Sequence, residues 1–249
     1  MATDPLHTQS GNVQDPVGEE TLQRLARAQK FNRWMFERIE PYLQNEVLEI
    51  GSGTGNISRL VIEKGFAVTL SDYNTSYQQQ LQQQFGKEEN VKDILSIDLQ
   101  HPDFANVYQS YTGRFRSVFL LNVIEHLASE EQAVENCRLL LQPGGHLIVL
   151  APSYNWLYCR FDKELGHYRR YTTKRMASLF RLPEFSIIKQ EYFNAAGIAG
   201  WWLFGKLLGR KQIGAEISGF ETLVPLFRLL DKLVFHKLGL STITIAKKQ

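Results

Sequence analysis

Two periods govern the apolar positions of this chain. Short, largely apolar runs occupy 46–50, 66–70, 91–97, 115–121 and 146–150, and each is of strand length. Between them apolar residues recur at helical spacing: Leu22, Leu25, Phe31, Trp34, Met35 and Ile39 within 19–42, then Tyr77, Leu81 and Phe85 within 75–85. The spacing also predicts helices over 55–64, stopped by Gly65, and over 129–141, with Pro143-Gly144-Gly145 as a turn. Strands alternating with helices predict an α/β fold, a mostly parallel sheet with helices on both faces. After Ala151 the rhythm changes. Residues 152–173 are rich in Tyr, Arg and His, 174–181 read as a helix, 184–192 as a strand, 194–236 as two apolar helical segments and 240–246 as a closing strand. Residues 1–18 are polar and read as a loose arm, which leaves 19–249 as one domain with insertions at 152–183 and 193–238.

Composition narrows this only a little. At 249 residues, 43% hydrophobic and 22% charged, the chain can bury a full core. A net charge of +2 gives no global case for nucleic acid, so no such partner is expected. Cys137 and Cys159 make neither a disulfide framework nor a zinc site by themselves, and they fit a reducing cytoplasm. No basic segment followed by an apolar core opens the chain, and no apolar run reaches the length of a spanning helix.

The chemistry concentrates where strands end. Residues 47–56 read Val-Leu-Glu-Ile-Gly-Ser-Gly-Thr-Gly-Asn, a strand running into Gly51, Gly53 and Gly55 ahead of a helix. Such a turn lets main-chain N–H groups approach a ligand at a helix N-terminus. Asn56 stands where the dinucleotide pattern G-x-G-x-x-G needs its last glycine. Glu49, Gly51, Asp72, Asp98 and Asn122 all fall at expected strand ends, and in parallel sheets ligands bind along that rim. Read alone, the glycines are equally an ordinary turn, and Asp72, Asp98 and Asn122 can each be a helix cap.

Five motifs in order resemble the class I S-adenosylmethionine-dependent methyltransferases of the broad small-molecule group. They are Leu48–Gly55, Ser71-Asp72-Tyr73, Ile97-Asp98-Leu99, Asn122–Leu127 and Leu141–Leu147. The resemblance covers roughly 30–192 and the last strand. It implies a Rossmann-like, seven-stranded sheet with an antiparallel last strand, and S-adenosyl-L-methionine as cofactor. It implies that Gly51, Gly53 and Gly55 pass under the methionine part and that Glu49 holds the loop or the amino group. By the same resemblance Asp72 accepts from the ribose hydroxyls, Tyr73 lies against adenine, Asp98 accepts from the adenine amino group, Leu99 packs the ring, and Asn122 sits near the reacting centre.

The segment from Asp162 through Gly166-His167-Tyr168-Arg169-Arg170-Tyr171 resembles a bacterial subgroup often associated with surface-polysaccharide genes. Following the fifth strand, it lies over the expected reaction centre. Tyr158, Tyr168, Arg169 and Arg170 are candidate acceptor contacts, the arginines as planar forks for phosphate or carboxylate. His167, and after it His126, are candidate general bases. Glu125 and His126 are two adjacent ligand types without a third, so no metal is assigned. The apolar stretch 197–236, with Trp201, Trp202 and Phe204 beside Lys206, Arg210 and Lys211, has three open destinations: a cap on the domain, a pocket for a lipid-like acceptor, or peripheral contact with the inner face of a membrane.

The resulting expectation is methyl transfer from S-adenosylmethionine to an oxygen or nitrogen atom of a small or amphipathic, sugar- or lipid-linked acceptor. One alternative is an NAD(P)-dependent oxidoreductase, since Asp72 lies 21 positions after Gly51, although no Tyr-x-x-x-Lys motif accompanies it. The other is a catalytically inactive cofactor-binding protein.

Overall fold

The computed structural model describes residues 16–181, 184–208 and 217–249. Its centre is a seven-stranded sheet of β1 (Val47–Ile50), β2 (Val68–Ser71), β3 (Val91–Leu95), β4 (Phe115–Leu121), β5 (Leu141–Pro152), β6 (Phe185–Phe193) and β7 (Ser241–Lys248). The spatial order is β3-β2-β1-β4-β5-β7-β6. Pairings β1–β2, β1–β4, β2–β3 and β4–β5 are parallel, while β7 runs antiparallel to both β5 and β6. The antiparallel last strand implied by the resemblance is therefore present.

The strand sequences are apolar at successive positions because both faces are covered. Leu48, Val118, Leu120, Leu147 and Val149 point into one core. Val47, Phe119, Ile148 and Leu150 point into the other. The first core is closed by the helix α6 (Glu130–Leu140) through Ala133, Val134, Cys137 and Leu140. On the opposite face lie α2 (Gln29–Ile39), α3 (Ser58–Glu63) and α4 (Thr75–Phe85), which contribute Trp34, Phe36, Val61, Leu81 and Phe85. The expected long N-terminal helix is divided: α1 spans Pro16–Ala26 and α2 follows it, ended by a 3-10 turn containing Pro41. The expected arm falls on residues outside the described ones up to residue 15. Pro143-Gly144-Gly145 does not stand apart as a turn. It lies inside β5, where the pairing with β4 shifts register between Phe115 and Ser117.

The helix α9 (Ala195–Gly200), a π-helical turn (Trp201–Leu207) and α10 (Ile217–Leu233) precede β7. Two carboxylates of α10 tie it down. Glu221 accepts from the main-chain N–H groups of Lys30 and Phe31 at 2.9 Å each, at the start of α2. Asp231 accepts from those of Asn194 and Ala195 at 2.8 and 2.7 Å, at the start of α9. These bonds satisfy helix N–H groups that have no partner within their own helix. The segment is thus docked as a cap, but incompletely. Val224 is buried, whereas Leu203, Leu207, Leu226, Leu229, Leu233 and Phe235 remain exposed. Arg210 and Lys211 lie outside the described residues. No helix of the described residues is long and apolar enough to cross a membrane.

Candidate active site

All parallel strands point their C-terminal ends at one rim, and β1 delivers the glycine turn there. Gly51, Gly53 and Gly55 have φ of +73°, +53° and +80°. A Cβ at Gly51 would meet Val123 Cγ2 at 2.4 Å, and one at Gly55 would meet the Phe85 ring at 2.4 Å. The turn is therefore glycine for two reasons, its left-handed backbone and the side chains packed against it. Leu22 of α1 approaches Gly53 from above, where a Cβ would lie 3.0 Å from its Cδ1.

Two acids hold the turn from beneath. Asp72, just past β2, accepts from Gly53 N–H at 2.8 Å through Oδ2 and from Asn74 N–H at 2.9 Å through Oδ1. Burial raises its pKa to about 6 against those two bonds. Glu49 is 4% exposed and accepts from Ser58 Oγ at 2.5 Å. Burial raises its pKa to about 8, opposed by hydrogen bonds from Ser58 and Ser52. A cation placed beside such a buried carboxyl would favour its ionised form. Each carboxylate oxygen has lone pairs to spare, so Asp72 can hold the loop and still accept from a ligand.

Along the rim Tyr73 is 43% exposed. Asp98 Oδ1 accepts from Gln100 N–H at 2.8 Å, and its own N–H donates to Tyr108 Oη at 2.9 Å. Asn122 ends β4 at φ +55°, exposed, its N–H donating to Leu150 O at 2.9 Å. Leu99 is a core residue at 3% exposure, its carbonyl accepting from Asn136, so its side chain has little surface to offer a ring.

The segment after β5 folds onto the turn after β4. Tyr168 N–H donates to Glu125 O at 2.8 Å. This brings His167 to His126, ring centroids 4.7 Å apart and planes perpendicular. His167 Nδ1 lies 2.9 Å from Asp162 Oδ1. His126 is exposed on one side, yet protein crowding around its ring and the neighbouring His167 lower its pKa to about 4. Glu125 is fully buried, and burial raises its pKa to about 7, against the influence of His167 and Arg170. Asp162, Glu125 and Ser58 are site residues that sequence reading left without a role. Asp162 and Ser58 find their partners within nine residues, but at spacings that match no regular element, and Glu125 meets His167 only through the fold.

Arg170 departs from the expected anion fork. Its side chain is fully buried, with Nε on Asp162 Oδ1 at 2.8 Å and the guanidinium 4.3 Å over the Trp201 ring. Arg169 is tied to Glu130 at 2.5 Å and to the Ala128 carbonyl. Tyr171, completely buried, donates to the same Glu130 at 2.8 Å. Tyr158 donates to His167 O at 2.7 Å, so it shapes the loop, while Tyr168 is 60% exposed. Most polar ends of this motif hold the loop together, and His167 is the one facing Glu125 and His126.

Beside the loop, a groove of about 490 Å³ is lined by Trp156, Ala195, Ile198, Trp202, Leu230 and Leu238, among others. Trp156 follows β5 and Ala195 follows β6, so the groove opens on the rim that carries Gly51.

Residues 48–147 match the protein family described as methyltransferase domain. Among curated proteins, the chain is 26% identical over 113 residues to the polyketide synthase component of lovastatin nonaketide synthase from Aspergillus terreus, covering 44% of this chain and 4% of the synthase. The chain thus spans a small fraction of that relative's length. Among solved structures, a SAM-dependent methyltransferase from Archaeoglobus fulgidus aligns at TM-score 0.57 and 18% identity, covering 87% of this chain and 94% of that one. Phosphoethanolamine N-methyltransferase 2 of Haemonchus contortus, in complex with S-adenosyl-L-methionine, aligns at 0.58 and 16%, covering 87% and 52%. The nicotinamide alternative is set aside by the family match. With the sheet order, the glycine turn and its acids, this match identifies residues 48–147 as a methyltransferase domain in a class I methyltransferase fold.

Proposed function

We propose that the enzyme methylates an oxygen or nitrogen atom of an amphipathic acceptor, a sugar- or lipid-linked molecule with a polar head and an apolar tail. The observation that carries this is the apolar groove on the cofactor rim, flanked by Trp156 and Trp202, both about half exposed. Contiguous exposed apolar surface rimmed by polar residues is a feature of ligand-binding grooves. The tail would lie in the groove and the head in the space beyond Asn122.

When bound, the cofactor supplies an electrophilic methyl on a sulfonium, and the protein supplies orientation. The Gly51–Gly55 turn and Asp72 would hold it, with Glu49 beneath. With its proton on Nδ1 toward Asp162, His167 would present Nε2 to a hydroxyl acceptor as the base. The test is methyl transfer from labelled cofactor to a panel of alkyl glycosides and alkyl amines, beside the same head groups without tails. Turnover confined to tail-bearing acceptors is the expected result, and equal turnover of the bare head groups would remove the reading.

A further inference from the structure

The geometry points to a divalent-cation site of the zinc class formed by Glu125, His126 and His167. Each offers one ligand atom, and all three atoms lie within 4.8 Å of one another. Tetrahedral zinc with bonds of about 2.0–2.1 Å spaces its ligand atoms roughly 3.3 Å apart, so closing the set takes at most about 1.5 Å of movement. Two imidazoles and one carboxylate are a ligand set of catalytic zinc sites and leave a position for a further ligand.

Three independent features support it. First, Glu125 is fully buried. Apart from a poor contact with its own amide, neither carboxylate oxygen finds a hydrogen-bond donor among the described residues. Such a group is costly unless something electropositive reaches it. Second, both imidazoles are held from behind. His167 Nδ1 is on Asp162 at 2.9 Å, and His126 hydrogen-bonds the main chain at Leu165. Metal-ligating histidines almost always engage a carboxylate or carbonyl through the other ring nitrogen, which fixes the tautomer and aims the free lone pair. Third, the charges fit. Arg170, the nearby guanidinium, is hydrogen-bonded to Asp162 and gives Glu125 no hydrogen bond, so it favours the Glu125 carboxylate only through space and leaves room for a cation in direct contact.

This site rests on the proposed acceptor side for its role and not for its existence. A cation there would hold an oxygen of the acceptor head, and His167 would then serve as a ligand in place of a base.

The experiment uses the full, tag-free chain, stripped with chelator and dialysed against zinc chloride alone, then against cobalt chloride. Bound metal is counted by mass spectrometry and cobalt by its visible absorption, with S-adenosylhomocysteine binding measured in parallel as a check on the fold. About one zinc per chain is expected, with four- or five-coordinate cobalt bands and no displacement by equimolar magnesium, which prefers oxygen ligands. His126→Ala alters an exposed residue and should weaken zinc at least about tenfold with S-adenosylhomocysteine affinity unchanged; His167→Asn and Glu125→Gln should do the same. Absence of stoichiometric zinc, uptake equal in wild type and His126→Ala, or ready displacement by magnesium would each overturn the site. Zinc bound normally by a protein that takes up no S-adenosylhomocysteine would leave the site standing and remove the methyl-transfer reading instead.

Discussion

Asp72 Oδ2 accepts from the main-chain N–H of Gly53 at 2.8 Å, so the acid that would grip the ribose also sets the turn that would pass under the methionine. One side chain thereby couples two halves of the cofactor site. Asp72→Ala should weaken S-adenosylhomocysteine binding by about 1.5–3 kcal/mol, the range for hydrogen bonds to a charged group. Calorimetry measures this directly, and an unchanged affinity would defeat the assignment.

The neighbouring Glu49 makes stability depend on pH. Burial raises its pKa to about 8, far above the ordinary value of 4.5 that the unfolded chain would show. Between those values the native protein holds a proton that the unfolded chain has lost. The contribution is fully present below about pH 4.5 and is lost as pH rises through about 8. The melting temperature of the cofactor-free protein should therefore fall between pH 5 and pH 8, and Glu49→Gln should flatten the slope. Asp72, at about 6, adds the same sign over the lower part of that window. A bound ammonium or sulfonium favours the ionised carboxylates, so cofactor binding should release protons near neutral pH. Binding enthalpies measured in buffers of different ionisation enthalpy report that release.

The strands were legible because burial on both faces leaves unbroken apolar runs, as in Phe119-Leu120-Leu121 and Leu147-Ile148-Val149-Leu150. The acids on the rim were legible because each directly follows such a run. The segment 152–173 was not, because its order comes from side-chain pairs, near and far, that follow no regular period. Arg170 reads as a free guanidinium until Asp162 is seen beside it, and Tyr171 as a surface aromatic until Glu130 accepts its hydroxyl. Nor does spacing bring His167 to Glu125, which are joined only when the Tyr168 N–H finds the Glu125 carbonyl.

Gly51 offers a packing test of the turn. Its φ of +73° alone costs a non-glycine residue about 1–3 kcal/mol. A Cβ there also collides with Val123 Cγ2 at 2.4 Å. Gly51→Ala should lower stability and cofactor affinity together, and Val123→Ala added to it should restore part of both. A double-mutant cycle in urea unfolding separates the collision from the backbone strain. Simple additivity would show that Val123 moves aside freely.

Asp162 accepts from His167 Nδ1, Arg170 Nε and Cys159 N–H. Both members of the Asp162–Arg170 pair have fully buried side chains. Asp162→Ala strands the Arg170 charge in the interior, and removing one partner of such a pair costs about 3–5 kcal/mol. Asp162→Asn keeps an acceptor oxygen and should cost less in stability, yet it no longer fixes the His167 tautomer. Urea denaturation beside methyl-transfer rates would separate the two roles, with Asp162→Asn losing proportionally more rate than stability.

The groove supplies the last test because its chemistry is graded. If Trp202, Ile198 and Leu230 receive an acceptor tail, each methylene that enters is worth about 0.8 kcal/mol, roughly a fourfold gain in kcat/KM. A series of acceptors with one head group and lengthening tails should rise by that factor per carbon, then level off once the groove is full. Trp202→Asp should flatten the rise while leaving the tail-free head group at its basal rate, since Trp202 lies on the groove and outside the cofactor turn. A series already flat in the wild type would make the apolar lining irrelevant to the acceptor. The exposed leucines of α10 would then have to serve a surface larger than one molecule.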